Sequence, residues 1–192
     1  VLTLEARQRL ASAQEVYLRT THHPVVSHLP AHLVLHSFDA VYDEQPTSGA
    51  AAEAIAQQIW GLAQRPEGVV YAVPGHPLVG EATVVLLRLR CAEAQMPVEI
   101  VTGVSFLEPA LEALALEPST ASLLDGSEAL QLVDALQPMV DPARPALVTH
   151  VCSPEVASRL KQQLSKLYPA DHQVALVATG ETRGGSSVRR IA

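Results

Sequence analysis

Apolar residues along this chain follow two spacings, one typical of buried strands and one typical of amphipathic helices. Short apolar runs in the first half predict strands at 16–19, 33–35 and 69–73. Recurrence at three- and four-residue intervals predicts helices at 3–15, 50–64 and 81–95. Residues 43–49 are polar and are expected to form a loop. Because helices and strands alternate here, we expect a mostly parallel sheet.

The second half begins at Pro97 and is less regular. Strands are predicted at 98–101, 146–151, 173–178 and 187–191, and helices at 106–116, 128–136 and 154–167. Ser153 suits the N-cap of the last helix, and the Gly-rich segment 179–186 predicts a hairpin between the last two strands. We therefore expect an α/β protein of two lobes, 1–96 and 97–192, with a mixed sheet in the second.

The stretch 69–80 has the strongest local pattern in the chain. Five apolar residues are followed abruptly by Pro74, Gly75 and Pro77, and then by the helix expected from Glu81. In open α/β sheets, such a turn at a strand end is where ligands bind, although an ordinary connecting loop is an equal alternative. A second small-residue turn, Thr102–Ser105, follows the next predicted strand. Both turns are expected to line one small-molecule cleft.

The amino-acid composition excludes several functional classes for this protein. The chain has 192 residues, of which 48% are hydrophobic, and a net charge of −7, which argues against general nucleic-acid binding. Its two cysteines, Cys91 and Cys152, form no CxxC motif, so a reducing cytoplasm is the expected location. No apolar run has the length of a transmembrane helix.

Motifs for other chemistry are missing from the sequence. Pro24 and Pro30 interrupt any helix that would align His28, His32 and His36, so the histidines predict no metal site. Ser105 lacks the frame of a hydrolase nucleophile, and the segment around Gly180 lacks the ending of a phosphate loop. The residues identify no nucleophile and no general base.

Several segments in order resemble the tetrapyrrole methylase superfamily, and most closely its YabN-like branch, which is often fused to a MazG-type nucleoside-triphosphate pyrophosphohydrolase. The resemblance is carried mainly by VYAVPGHPLV at 70–79 and VEIVTGVSFL at 98–107. Supporting segments lie at 17–26, 38–42, 130–135 and 168–174. Together they span nearly the whole chain in the expected order.

The resemblance implies two α/β lobes, a homodimer, and S-adenosylmethionine bound between the lobes. It implies that the following residues bind the cofactor: Pro74, Gly75, His76, Pro77, Val79, Gly80, Gly103, Val104, Ser105, Thr149, His150, Ala178, Thr179 and Gly180. Thr102 stands where the family has proline. His76, His22 and His23 are alternatives for a base, but the expected role of His76 is that of a turn residue beside the cofactor.

Two functions follow as hypotheses. The first is a methyltransferase that uses S-adenosylmethionine and an unidentified small-molecule acceptor, without a metal. The alternative is a ligand-sensing or dimerising module that regulates a fused or partner pyrophosphohydrolase. The family's opening strand and Gly-rich loop have no counterpart before Leu2. Either the sequence begins inside a longer chain, or one border of the cleft is missing.

Overall fold

Helices and parallel strands alternate in the computed structural model, which describes residues 2–126, 140–151, 153–178 and 187–191. The chain divides into two compact units, Val1–Ser105 and Phe106–Ala192. The expectation of a two-part α/β fold is therefore confirmed. Within the described residues, no helix is both long and apolar enough to cross a membrane.

The first unit is built around a parallel sheet. Its helices are α1 (Leu4–Ser12), a 3-10 turn (Pro24–His28), α2 (Asp39–Glu44), α3 (Ser48–Ala63) and α4 (Ala82–Glu93). Its strands are β1 (Glu15–Leu18), β2 (Val34–Ser37) and β3 (Tyr71–Ala72), in the order β2-β1-β3. Leu18 pairs with both Ser37 and Ala72, so the three strands end level with one another. We call this end of the sheet the carboxyl edge.

Side-chain alternation along β1 gives the sheet an apolar face on each side. Val16 and Leu18 pack with Leu10 of α1 in one cluster. Tyr17 points the other way and packs against a cluster that contains Ile55 of α3 and Leu87 of α4. Because successive residues of a strand point to opposite faces, one short strand holds helices on both sides. Helices therefore cover both faces of the sheet that ends at the carboxyl edge.

The second unit has a parallel pair and an antiparallel hairpin. Its helices are α5 (Leu107–Leu114), a 3-10 turn (Pro118–Thr120) and α6 (Pro154–Leu164). Its strands are β4 (Ser122–Asp125), β5 (Ala146–Thr149), β6 (Val174–Ala178) and β7 (Ser187–Ile191). β4 pairs parallel with β5, and β6 pairs antiparallel with β7. In the described part of the chain these are two separate sheets, not one mixed sheet.

Local capping explains where several helices begin. The Thr3 hydroxyl accepts a hydrogen bond from the Ala6 amide at 3.2 Å and so caps α1. The Ser153 hydroxyl accepts from the Val156 amide in the same way, with Pro154 in the first turn of α6, as predicted. The predicted hairpin of β6 and β7 is also confirmed.

Some predicted elements were wrong. Residues 98–101 form no strand, and β3 contains only Tyr71 and Ala72, which are half-buried rather than buried. The predicted loop at 43–49 is partly helical, because α2 ends at Glu44 and α3 begins at Ser48. β4 lies in the stretch expected to be irregular. The predicted helix at 128–136 lies outside the described residues.

The division between the units falls after Ser105, whereas the sequence placed it at Pro97. The segment that follows Pro97 belongs to the first unit because α1 holds it. The Thr3 hydroxyl donates a hydrogen bond to the Thr102 carbonyl at 2.8 Å. Arg9 forms an ion pair with Glu99. This segment therefore brings the Thr102–Ser105 turn into the first unit.

Candidate functional site

The carboxyl edge of the first unit carries the turn that the sequence singled out. Pro74–Gly80, which we call the ligand turn, follows β3 directly and leads into α4. Gly75 and Gly80 have φ of +80° and +68°, so both adopt a conformation that favours glycine. His76 organises the middle of the turn, since its Nδ1 accepts from the Leu78 amide at 3.1 Å and its carbonyl accepts from the Val79 amide at 2.9 Å.

The Thr102–Ser105 turn packs directly on the ligand turn. A Cβ added to Gly103 would lie 2.0 Å from the carbonyl oxygen of Gly75 and 3.3 Å from Cα of His76. A Cβ on Gly75 would lie 3.6 Å from the carbonyl oxygen of Val104. Only glycine fits at position 103, because the two backbones are nearly in van der Waals contact. The two turns that the sequence predicted to line one cleft are therefore in direct contact.

A buried ion pair lies beside the ligand turn. Glu81, the first residue after the turn, is only 6% exposed. Its carboxylate lies 3.2 Å from the guanidinium of Arg19, which follows β1. Burial raises the pKa of Glu81 to about 7, and the charge of Arg19 opposes that rise. A carboxyl group with such a pKa changes its protonation near neutral pH.

A second carboxylate at the carboxyl edge is held ionised. Asp39 accepts hydrogen bonds from the Ser37 hydroxyl and from both the amide and the hydroxyl of Thr21. Partial burial raises the pKa of Asp39, but these hydrogen bonds outweigh it and hold the pKa well below its usual range. His22, an alternative base in the sequence, lies 3.3 Å from Asp39 and is highly exposed. Asp39 thus shapes the loop after β1.

Two further histidines of the first unit, His23 and His36, contact different residues. His23 Nδ1 accepts from the Val25 amide at 3.2 Å, and burial and nearby Arg19 lower its pKa. His36 lies 3.2 Å from Glu15 and stacks on Tyr17. Among the residues with described positions, no group of three or more His, Cys, Asp and Glu side chains is arranged to hold a metal ion.

The nucleophiles weighed from the sequence are inaccessible or outside the described residues. Cys91 is a buried free thiol, and burial raises its pKa. Ser105 is only 4% exposed. Cys152 lies outside the described residues. A buried thiol and a buried hydroxyl are poor nucleophiles, because neither is easily ionised or reached by a substrate.

The second unit contains another cluster at a strand end. His150 follows β5 with φ of +53°, and its Nδ1 lies 2.6 Å from the Asp125 carboxylate at the end of β4. The hydroxyl of Thr149 lies 3.2 Å from the same nitrogen. Phe106 packs edge-on against the imidazole, with ring centroids 5.9 Å apart. The structure thus joins two residues predicted as cofactor contacts, Thr149 and His150, to a carboxylate that was not predicted.

The last predicted contacts are at the hairpin. Ala178 ends β6, is exposed and pairs with Ser187 of β7. Thr179 and Gly180 lie outside the described residues. Sequence reasoning missed Arg19, Glu81 and Asp125, although each lies at the end of a strand or beside a turn. Arg19 and Asp125 each follow a short apolar run, whereas Glu81 follows Gly80 and has no such signal in the sequence.

Comparison with known proteins gives consistent results. The family described as Tetrapyrrole (Corrin/Porphyrin) Methylases matches residues 1–188. The uncharacterized protein YabN of Bacillus subtilis (strain 168) is 32% identical over 187 residues, which is 95% of this chain and 36% of YabN. The chain therefore spans about a third of the length of this curated relative.

Three solved structures with similar folds are methyltransferases. Uroporphyrin-III-C-methyltransferase from Thermus thermophilus is 24% identical with a TM-score of 0.60, over 98% of this chain and 75% of that one. The methyltransferase CobJ is 17% identical with a TM-score of 0.60, over 98% and 79%. A Thermus thermophilus structure complexed with S-adenyl homocysteine is 20% identical with a TM-score of 0.58, over 98% and 80%. At these identities the similarity shows a shared fold.

Proposed function

Because the chain belongs to the tetrapyrrole (corrin/porphyrin) methylase family, we propose that it is a methyltransferase that uses S-adenosylmethionine and a small-molecule acceptor. The observation that carries this proposal is the packing of Gly103 on Gly75 at the carboxyl edge. At this contact neither turn carries a side chain, and the contact lies at the place where α/β sheets bind ligands. A structural neighbour that holds S-adenyl homocysteine supports the choice of cofactor.

The residues of the first unit fit a cofactor of this kind. S-adenosylmethionine supplies an activated methyl group for in-line displacement, which needs positioning and exclusion of water more than a nucleophile. In this proposal the backbones of Gly75 and Gly103 approach the cofactor closely. His76 keeps the ligand turn in shape, because its Nδ1 is already occupied by the Leu78 amide. The cofactor contacts in the first unit are Pro74, Gly75, His76, Pro77, Val79, Gly80, Gly103, Val104 and Ser105.

Calorimetry with S-adenosylmethionine and S-adenosylhomocysteine tests the proposal. The wild-type protein is expected to bind both, and Gly103→Ala to bind them at least roughly tenfold more weakly, since a new Cβ at 2.0 Å from a carbonyl oxygen must push the turns apart. Gly61→Ala is the matched control. Gly61 lies in α3 with open space around its Cβ position, so this variant should bind like the wild type.

Transfer of a radiolabelled methyl group from S-adenosylmethionine into a small-molecule extract then tests catalysis. A labelled product that depends on Gly103 supports methyl transfer. Failure of the wild type to bind either cofactor form would overturn the proposal. Binding without any labelled product would instead favour the ligand-sensing role, in which the chain regulates other parts of a longer protein.

The assembly and the cellular context are part of the same proposal. The resemblance to the YabN-like branch implies a homodimer and a fused or partner pyrophosphohydrolase domain, and the cysteine content suggests a cytoplasmic location. The limited coverage of YabN, 36% of its length, is compatible with additional domains in such relatives. Sedimentation of the purified chain tests the dimer, and the second-unit contacts Thr149, His150, Ala178, Thr179 and Gly180 remain predictions.

A further inference from the structure

Arg19 holds the beginning of the ligand turn through its backbone. It follows β1 directly, and its amide donates a hydrogen bond to the Ala72 carbonyl at 2.9 Å. Ala72 is the last residue of β3, two positions before Pro74. The parallel pairing of β1 with β3 therefore continues through this bond to the point where the ligand turn begins.

The same residue holds the end of the turn through its side chain. Glu81 stands at the N-cap of α4, but its carboxylate caps none of the helix amides. It points instead to the Arg19 guanidinium at 3.2 Å, where it is 6% exposed. An ionised carboxylate this deeply buried is tolerated only with a charged or hydrogen-bonding partner. Both ends of the ligand turn are thus attached to one residue.

Two tyrosines lie beside this pair. The guanidinium of Arg19 lies over the ring of Tyr42, 5.9 Å from its centroid. Tyr71, on β3, is close enough for the charge of Glu81 to raise the pKa of its hydroxyl, although burial is the larger cause. Burial likewise raises the pKa of Tyr42. Both tyrosines are therefore neutral near pH 7, and Arg19 is the charged group that acts on Glu81.

We propose that Arg19 and Glu81 form a clamp that closes the ligand turn and positions it for the cofactor. The inference rests on the proposed function, and it assigns both as positioning residues that act through the turn. The ion pair requires ionised Glu81, so the test is made at about pH 8, above the pKa of about 7.

The test uses Glu81→Ala and Glu81→Gln in the full chain, with S-adenosylhomocysteine as the probe. Glu81→Ala is expected to bind the probe roughly tenfold more weakly at about pH 8, the effect of one lost ion pair with Arg19. Glu81→Gln keeps an acceptor for Arg19, so its affinity should stay within about threefold of the wild type.

Glu53→Gln is the matched control. Glu53 forms an exposed ion pair with Arg90 and so links α3 to α4 away from the ligand turn. Glu53→Gln removes an ion pair made by α4, the helix that begins after Glu81, and leaves the clamp unchanged. It should therefore bind the probe as the wild type does. Each variant is compared with the wild type at the same pH.

Hydrogen exchange gives a readout that does not depend on binding. The amides of Leu78 and Val79 are bonded inside the turn to His76. They are expected to exchange about tenfold faster in Glu81→Ala than in the wild type, while amides of β1 keep their rates.

Two outcomes overturn the clamp. In the first, Glu81→Ala matches the wild type both in affinity and in exchange at Leu78 and Val79. In the second, Glu53→Gln weakens binding as much as Glu81→Ala, which indicates a general loss of stability. If the wild type does not bind the probe, the proposed function fails, and the exchange rates still decide whether the clamp exists.

Discussion

His150 combines a rare backbone conformation with a defined hydrogen-bonding environment. Its φ of +53° is one of three positive values at non-glycine residues in the described ranges. Such a conformation costs about 1 kcal/mol or more and persists where the surroundings impose it. Here Asp125, 2.6 Å from Nδ1, and the edge-on ring of Phe106 fix the imidazole. These contacts on two sides of the imidazole ring therefore hold His150 in its strained backbone conformation.

These contacts predict which nitrogen of His150 carries the proton. The Thr149 hydroxyl donates to the Leu124 carbonyl at 3.2 Å, so it offers only a lone pair to Nδ1. With a carboxylate on the same side, neutral His150 should be protonated on Nδ1. Nitrogen NMR of the imidazole measures this tautomer. Asp125→Asn should increase the other tautomer, since an amide can donate to Nδ1, and a wild type protonated on Nε2 would contradict the geometry.

Glu81 makes the stability of the protein depend on pH. Its pKa is raised from 4.5 to about 7 in the folded state, so the fold favours the protonated form. The stabilisation is fully present below about pH 4.5 and is lost as the pH rises through 7, by about 3 kcal/mol in total. Urea unfolding at a series of pH values measures this loss. Glu81→Gln should not lose stability in this way as the pH rises. An equal loss in this variant would mean that another group causes the pH dependence.

Sequence patterns identified backbone features of the site better than its charged side chains. Gly75 and Gly103 stand out because glycine next to an apolar run already predicts a turn. Arg19 and Glu81 do not stand out, because a single arginine and a single glutamate at element ends are common on protein surfaces. Their significance depends on a distance of 3.2 Å between residues far apart in the chain. That distance follows from the sheet order, which the pattern does not specify.

Among the elements, α5 ends in a way that its sequence does not favour. Ala115 caps its C-terminus in the left-handed conformation, with φ of +49°. Glycine is the usual residue there, because a Cβ raises the energy of this conformation by about 1 kcal/mol.

Ala115→Gly should therefore raise the free energy of unfolding by about 0.5–1 kcal/mol. The control is Ala113→Gly, in the last turn of the same helix, where glycine relieves no positive φ and should lower the free energy of unfolding. Thermal or urea unfolding measures both. A loss of stability in both variants would show that the conformation at Ala115 contributes no strain.

Long helices and most strands were predicted closely, whereas the strands expected at 69–73 and 98–101 were not. α3 and α4 have enough apolar residues at helical spacing to define their positions. β3 has only two residues, since its pairing with β1 stops where Pro74 begins the turn. The valines at 98–101 suit a strand by composition, yet that segment is held by side chains of α1 instead of by a strand ladder. Strand formation depends on a partner, which a local pattern cannot supply.

At the scale of the whole molecule, one fluorophore reports on the first unit alone. Trp60 is the only tryptophan in the chain, and it packs on the core of α3 and α4. Saturating S-adenosylhomocysteine at about a hundred times its Kd should stabilise the liganded unit by about 2.7 kcal/mol.

The Trp60 unfolding transition should therefore move upward by roughly 5–10 °C, which fluorescence melting measures. Gly103→Ala, compared in the same experiment, should show a much smaller shift. A transition that does not move in the wild type at saturation would place the ligand away from the first unit. Circular dichroism, which follows both units, shows whether the second unit responds with it.

The resemblance predicted the correct family and fold class. The structure adds the contact between Gly75 and Gly103, which joins the ligand turn to the Thr102–Ser105 turn. Residues 1–188 match the family as a whole, which no single motif in the chain would establish. The acceptor does not follow from these features, because the shape of a binding site, and not its fold, selects a substrate.

Attachment of both ends of the ligand turn to Arg19 makes the turn a closed ring of polymer rather than an open segment. The entropy of closing this ring is lost when the protein folds, before any ligand arrives. A ligand that binds a preorganised ring does not have to order it again, so more of its contact energy appears as affinity. In calorimetric terms, the entropy of binding should become less favourable once the ring is opened at Glu81.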